Sequence, residues 1–95
     1  MSKTTFLEIV FVGADFAFDG RDEVEDPLNE ALRNAGLGKV TGGGGGMGEC
    51  NIDVEVIDSI RGLAFIREQL RALEVARSTV INQYEPEHVI HKVYE

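Results

Sequence analysis

The chain has 95 residues, of which 43% are hydrophobic and 27% are charged, a composition typical of one folded globular domain. Seventeen acidic residues against nine basic ones give a formal net charge of −8, which disfavours binding to nucleic-acid phosphates. The sequence contains neither a membrane-spanning apolar run of about 18 residues nor a signal-peptide pattern, and its one cysteine excludes a disulfide within the chain. We therefore expect a single domain, residues 1–95, in the cytoplasm, with no nucleic-acid or membrane partner.

The first predicted strand, TFLEIVFV, is apolar on both of its alternating faces. Such a pattern is typical of a strand that lies in the middle of a sheet and is buried on both sides. A charged loop follows it. Asp26 and Pro27 then predict the start of a helix, as its N-cap and its first helical residue, and Gly36 predicts its end.

The second half of the chain predicts three or four further strands and one more helix. LGKVT is a short second strand, and CNIDVEVI, with polar and apolar residues in alternation, is a third. A second helix begins at Asp58 or Ser59 and STVINQY forms a fourth strand, while HVIHKVYE is a short fifth strand or a docked tail. The order β-α-β-β-α-β predicts an α+β fold, a ferredoxin-like two-layer sandwich with a short extra C-terminal strand.

A run of glycines separates the second predicted strand from the third. A dinucleotide-binding loop needs a helix after the glycines, but a strand follows here, and the run also lacks the Lys-Ser/Thr ending of a phosphate-binding P-loop. Glu49, directly after the run, would repel phosphate. The sequence therefore predicts a flexible hairpin connection that can order on a partner, with an anion or ligand clamp as the alternative. This predicted flexible loop comprises Gly42, Gly43, Gly44, Gly45, Gly46, Met47 and Gly48.

Acidic residues form two candidate binding groups. The first lies in the loop after the first strand, and the second lies on the side of the third strand that faces away from the helices. A negative surface suits a basic protein partner, although both groups also fit a simple solvated surface. Two carboxylates about 7 Å apart on one strand could alternatively serve acid–base chemistry or a metal. The predicted partner-binding residues are Asp15, Asp19, Asp22, Glu23, Asp53 and Glu55.

Three residues with catalytic or metal-binding side chains are scattered rather than grouped. Cys50 falls on the side of its strand predicted to face the helices, where a thiol behaves as a small apolar group. His88 and His91 are three residues apart on a predicted strand and so point to opposite faces. We therefore predict no catalytic residue, no metal site and no cofactor.

The segments GGGGGMGECNIDVEVID, GLAFIREQLRAL and STVINQYEP resemble parts of small bacterial domains found beside secreted toxins, the immunity-type proteins. The resemblance covers residues 42–95 and rests on a glycine-rich hairpin, an alternating acidic strand, a helix and a short strand. It implies a cytosolic inhibitor that binds a cognate toxin and blocks its active site. It implies no specific role for any residue of this chain.

Two functions follow as hypotheses. The first is a non-enzymatic binding protein, an immunity-like inhibitor that occludes a basic toxin or nuclease. The second is a small-ligand-binding domain or small enzyme that uses the open sheet face and the glycine-rich hairpin. In a third, plainer interpretation the open face forms a homodimer.

Overall fold

Five strands and two helices form from these segments in residues 4–94, the part of the chain that the computed structural model describes. A 3-10 turn, Gly13–Asp15, follows the first strand. The helices are α1 (Asp22–Asn34) and α2 (Ser59–Ala72). The strands are β1 (Thr5–Val12), β2 (Gly38–Gly46), β3 (Glu49–Val56), β4 (Val80–Gln83) and β5 (Val89–Lys92).

The strands form one sheet in the order β2-β3-β1-β4-β5, and every neighbouring pair is antiparallel. The predicted α+β class is confirmed, with two helices and a single sheet. The order as a whole differs from that of a four-stranded ferredoxin-like sandwich, because β5 pairs with β4 and extends the sheet beyond it. Within residues 4–94, neither helix has the length and apolar character needed to cross a bilayer.

The hydrophobic core lies between the helices and one face of the sheet. Each fully buried aliphatic or aromatic side chain there contributes about 1.5–3 kcal/mol to stability. The core is built from Leu7, Ile9 and Phe11 of β1, Ile52, Val54 and Val56 of β3, Val24, Leu28 and Leu32 of α1, Ile66 and Leu70 of α2, and Ile81 of β4.

Strand β1 occupies the middle of the sheet, as predicted, but only one of its faces is buried. On its other face Phe6 is 39% exposed and Val12 is 38% exposed. Both helices pack on the first face, so none of the described helices covers the second. The apolar pattern of β1 therefore indicates a surface that is left uncovered within residues 4–94, rather than a second layer of the fold.

Helix α1 begins at Asp22, so the prediction of a start at Asp26 and Pro27 was wrong. The N–H groups of Val24 and Glu25 already bond to the Arg21 carbonyl, and Pro27 lies inside the helix. A proline there removes one helical hydrogen bond and costs about 3 kcal/mol, a loss comparable to the gain from burying one extra valine in the core. Val24 supplies that burial two residues before the predicted start at Asp26.

The other predicted helix boundaries are confirmed. Gly36 has φ of +67° directly after the end of α1, and the Leu37 N–H returns to the Leu32 carbonyl, which is the glycine-dependent C-terminal cap. At the start of α2, the Asp58 carboxylate accepts the N–H groups of Ile60 and Arg61, each at 3.0 Å.

The glycine run lies within a strand, which corrects its prediction as a flexible connection. Residues 42–46 pair in register with β3, from Gly42 opposite Asp53 to Gly46 opposite Glu49, after a bulge between Val40 and Gly42. Only Met47 and Gly48 remain as the turn, with φ of 52° and 81°, values typical of a two-residue hairpin of type I′. Side-chain periodicity cannot reveal a strand that has no side chains, and this explains the error.

Candidate functional site

The sheet face opposite the helices, called the open face below, brings acidic, amide and apolar side chains together. Side chains alternate between the two faces along each strand, and the observed register fixes which of them are neighbours. The open face carries Lys39 of β2, Glu49, Asn51, Asp53 and Glu55 of β3, Phe6, Glu8, Val10 and Val12 of β1, Val80 and Asn82 of β4, and Ile90 and Lys92 of β5.

Two carboxylates occupy the centre of the open face. Glu8 of β1 pairs directly with Asp53 of β3, and on its other side Glu8 pairs with Asn82 of β4. Residues that are directly opposite in an antiparallel pair have Cβ atoms about 4.5–5.5 Å apart, and like charges there repel one another. A positive group placed between Glu8 and Asp53 would relieve that repulsion.

Hydrogen bonds and ring stacking hold the Glu8 carboxylate in one orientation. Tyr84 Oη donates to Glu8 Oε1 at 2.5 Å, and Asn82 Nδ2 donates to the same oxygen at 3.4 Å. The Tyr84 ring stacks on Phe6, with 6.1 Å between centroids, and on His88, with 4.8 Å. His88 Nε2 in turn lies 3.1 Å from Asn82 Oδ1. The protein itself thus holds this carboxylate in place.

This arrangement raises the pKa of the Tyr84 hydroxyl. Its hydrogen bond to Glu8 is the largest of the effects that raise the pKa of Tyr84, followed by burial and by the charges of Glu8 and Asp53. Each of these effects favours the neutral phenol over the phenolate. Tyr84 therefore acts as a hydrogen-bond donor to Glu8 at neutral pH.

A groove of about 720 Å³ runs over the open face next to this cluster. Apolar side chains from three strands, Val10, Val80 and Ile90, line it together with Glu8 and Asn51. Gly46 and Met47, at the turn after β2, also line the groove, and the Met47 side chain is fully exposed. The groove therefore combines apolar surface with negatively charged and amide groups, as ligand and partner sites commonly do.

Strand β2 borders the open face without adding side chains to it over half of its length. Gly42 lies beside Asp53, and Gly44 lies beside Asn51, whose Nδ2 donates to Asp53 Oδ1 at 2.9 Å. A Cβ atom at Gly42 would lie 3.8 Å from Asp53 Oδ2, and one at Gly44 would lie 3.6 Å from Asn51 Oδ1, so both residues have room for a Cβ in ordinary contact with those side chains. The Asp53 carboxylate is therefore not screened from the β2 side of the sheet.

The structure separates the six predicted partner-binding acids into two surfaces. Asp53 and Glu55 lie on the open face, where Glu55 pairs with Lys39 of β2. The other four, Asp15, Asp19, Asp22 and Glu23, lie in the exposed segment between β1 and the first turn of α1.

Two of the four loop acids have local structural roles. Asp15 Oδ2 accepts the Ser78 hydroxyl at 2.7 Å, which ties the loop to the segment before β4. Glu23 Oε2 accepts the N–H groups of Asp19 and Gly20 at 2.8 and 3.2 Å, which closes the turn that leads into α1. Phe16 in the same loop packs edge-on against the core residue Phe11, so it supports the fold and does not form an exposed anchor.

The cysteine and the two histidines do not form a site. Cys50 lies half-buried on the helix-covered face of β3, and burial raises the pKa of its thiol. His88, which precedes β5 and so lies outside the strand predicted for it, contacts Asn82 and Tyr84 on the open face, whereas His91 of β5 contacts Gln83 on the helix side. In residues 4–94, no group of three or more His, Cys, Asp or Glu side chains is arranged to hold a metal ion.

Comparisons with protein-family models, with curated proteins and with solved structures give no match for this chain. The resemblance to immunity-type domains therefore stays a prediction, and the site is interpreted from its own geometry.

The sequence interpretation missed the central residues of the open face. Glu8 carried a signal, since an acidic residue interrupts an otherwise apolar strand in the middle of the sheet. Tyr84 and Asn82 carried none. They reach Glu8 only through the pairing of β1 with β4 and the turn after β4, which join residues about 75 positions apart in the chain. His88, considered in the sequence only for its catalytic or metal-binding side chain, contacts both of them.

Proposed function

We propose that the chain is a non-enzymatic binding protein that holds a basic protein partner on its open sheet face. The observation that carries the proposal is the pair Glu8 and Asp53, which lie opposite each other across two central strands, with Glu8 oriented by Tyr84. Such a pair offers a fixed negative position to a lysine or arginine side chain, and little ordering of the protein is needed when it binds.

Apolar side chains around the carboxylates support the same function. Phe6 and Ile90 are exposed on the open face, and Met47 projects from the adjoining turn. Interfaces typically gain most of their affinity from a few apolar or aromatic anchors, while charges set orientation and speed of encounter. The net charge of −8 would steer a basic partner towards this molecule over distances longer than a contact.

Within this proposal, the partner is a basic toxin or nuclease, and the protein inhibits it by covering its active site. The resemblance to immunity-type domains implies both. Proteins that act on nucleic acids carry positive active-site clefts, and a negative, partly apolar sheet face complements such a cleft.

We also propose the ferredoxin-like description for the first four strands. Its support is that β3 lies between β1 and β2, and that β1 lies between β3 and β4, so that each helix connects two strands separated by a third. Strand β5 is then an addition at the β4 edge.

Affinity capture with matched variants tests the proposed function. The wild-type protein and an E8Q/D53N variant are immobilised and exposed to extract from the native host at low salt. We expect the wild type to retain a basic protein that the variant does not, because removing both charges leaves no position for the cation. An E30Q/E68Q variant, which removes the same charge from exposed positions of α1 and α2, serves as the control and should retain the partner.

Loss of capture in both variants would show that net charge alone is responsible, and would contradict an open-face site. Recovery of no basic protein by the wild type would contradict the proposal as a whole.

The second candidate is a small-ligand-binding domain or small enzyme on the same face. Its specific support is the groove, whose volume of about 720 Å³ falls within the usual range for ligand pockets. Native mass spectrometry of protein purified from its host distinguishes the two. A bound small molecule that is lost in a Val10→Trp variant, in which the indole fills the groove, would favour the ligand; absence of such a molecule would favour the protein partner.

A further inference from the structure

Strand β2 forms an edge of the sheet whose glycine half, Gly42–Gly46, lacks the usual protection against pairing with another strand. Among the described residues it pairs only with β3, although it is nine residues long. Natural proteins commonly protect such an edge with charges, prolines or a covering segment. Strand β2 has no proline, and Lys39 is its single charged residue.

The protected part of β2 is confined to its first half. Asn29 of α1 accepts the Val40 N–H at 2.9 Å through its side-chain oxygen, so the helix covers the edge there. A two-residue hairpin is closed by a hydrogen-bonded pair, here Gly46 with Glu49, and bonded and non-bonded pairs then alternate along an antiparallel ladder. The N–H and C=O groups of Gly43 and Gly45 therefore point outwards.

The glycines also leave a path from this edge to the acidic centre of the open face. Strands in a sheet are about 4.8 Å apart, so a strand added beside β2 would lie about 9.6 Å from β3. Gly42 and Gly44 place no side chain in that interval, and the atoms nearest to a Cβ there are Asp53 Oδ2, at 3.8 Å, and Asn51 Oδ1, at 3.6 Å. A long lysine or arginine side chain on the added strand can thus lie over Gly42 and reach the Asp53 carboxylate.

The two faces of β2 differ in the charged groups that lie over the glycines. On the helix side, the Arg21 guanidinium occupies the space over Gly43, where a Cβ atom would be 3.1 Å from Arg21 Nε. Basic side chains of an added strand would meet this guanidinium, which is already paired with Glu25 at 2.7 Å, on the helix side, and the Asp53 carboxylate on the other side. The charges therefore favour a strand whose basic residues all face the open side.

From these observations we propose that an extended segment of the basic partner adds to the sheet along Gly42–Gly46, with lysine or arginine at alternate positions. Its backbone pairs with Gly43 and Gly45, and its basic side chains cross the glycines to the carboxylates of β3. Addition of a strand to an exposed edge is an established mode of peptide recognition. This inference rests on the proposed function, because it assumes that the partner is basic.

A second copy of this chain fits the edge less well. Its own β2, GKVTGGGGG, offers one lysine and no alternating basic residues, and each copy brings a net charge of −8. The occupant is therefore a different, basic chain.

Amide hydrogen exchange measured by NMR tests the inference. The probe is a blocked seven-residue peptide of alternating threonine and lysine, added to the isotope-labelled protein at low salt, with a threonine–glutamate peptide of equal length as the control. We expect the lysine peptide to slow exchange of the Gly43 and Gly45 amides by at least about tenfold, because each gains a backbone acceptor. The Gly44 amide, which faces β3, serves as the internal reference and should change little.

A chemically synthesised chain with an N-methylated Gly45 amide separates edge pairing from simple charge attraction. The methyl group removes one outward donor and leaves every carboxylate in place, so we expect the affinity for the lysine peptide to fall at least about tenfold. The D53N variant should also bind the peptide more weakly, whereas E68Q, an exposed position on α2, should bind like the wild type.

Each other outcome overturns the inference. If the peptide shifts open-face signals without slowing exchange at Gly43 and Gly45, the partner binds the face and not the edge, and the proposed function stands. If the peptide does not bind, the edge site is excluded, while affinity capture still decides the proposed function. Protection that is present without peptide and is lost on dilution would assign the edge to a second copy.

Discussion

Glu8 is a single acidic residue in an otherwise apolar strand, and the structure places it at the centre of the candidate site. Its neighbours on the open side of β1, Phe6 and Val10, are apolar, yet its carboxylate receives hydrogen bonds from Tyr84 and Asn82. These bonds satisfy one oxygen and orient the group towards the open face. A charge held in this way loses little entropy on binding a cation.

Titration of Tyr84 measures whether the Glu8–Tyr84 hydrogen bond exists in solution. In a Tyr94→Phe background Tyr84 is the single tyrosine, so absorbance near 295 nm reports its ionisation alone. We expect an additional Glu8→Gln substitution to lower the pKa of Tyr84 towards its ordinary value of about 10, because the accepting carboxylate is the main cause of its raised value.

The same bond should make stability depend on pH in the alkaline range. A tyrosine whose pKa is higher in the folded state contributes stability that is complete below the unfolded pKa of about 10 and is lost as the pH rises through the folded pKa. Unfolding in denaturant should therefore show a larger loss of stability above pH 10 in the protein that retains Glu8 than in the Glu8→Gln variant. Equal losses, or an unchanged titration, would mean that the bond does not form.

Two successive glycines of strand β2 differ in whether they leave room for a side chain. A Cβ atom at Gly43 would lie 2.5 Å from the Asn51 carbonyl oxygen and 3.1 Å from Arg21 Nε, whereas one at Gly44 would be 3.6 Å from its nearest neighbour. The first position needs glycine because the backbone and Arg21 approach closely. The second position has room for a side chain.

Alanine substitutions at these two neighbours should change stability in opposite directions. We expect Gly44→Ala to raise the free energy of unfolding by about 0.4–1 kcal/mol, because alanine restricts the unfolded chain. We expect Gly43→Ala to lower it by about 1–3 kcal/mol through overpacking against Arg21 and the β3 backbone. Denaturant titrations of both variants provide the measurement, and similar effects at the two positions would contradict the assigned faces of β2.

The elements with periodic side chains were predictable, and those without them were not. The alternation from Cys50 to Val56 predicts the two faces of β3 correctly, and the capping chemistry of Asp58 and Gly36 predicts helix ends. The glycine strand has no periodicity. The start of α1 was misplaced because Asp26-Pro27 is a strong local start signal, and the tertiary burial of Val24 outweighed it.

The folded molecule has two acidic regions, one around the start of α1 and one on the open face. Asp15 and Glu23 near the start of α1 accept hydrogen bonds that close turns and join segments, while Glu8 and Asp53 meet across the centre of an uncovered sheet. Composition predicts the total charge but not its placement. The site could be predicted only in part, at Asp53 and Glu55, since the rest depends on strand pairing between distant parts of the chain.

An NMR titration of the isotope-labelled protein with octalysine compares these two acidic regions directly. We expect the largest signal changes at Glu8, Asp53 and Asn82, weaker changes in the E8Q variant, and their loss near 1 M salt, where the screening length falls to about 3 Å. Largest changes in residues 15–26, or open-face changes that persist in E8Q and at high salt, would contradict the claim that the open face binds a basic partner.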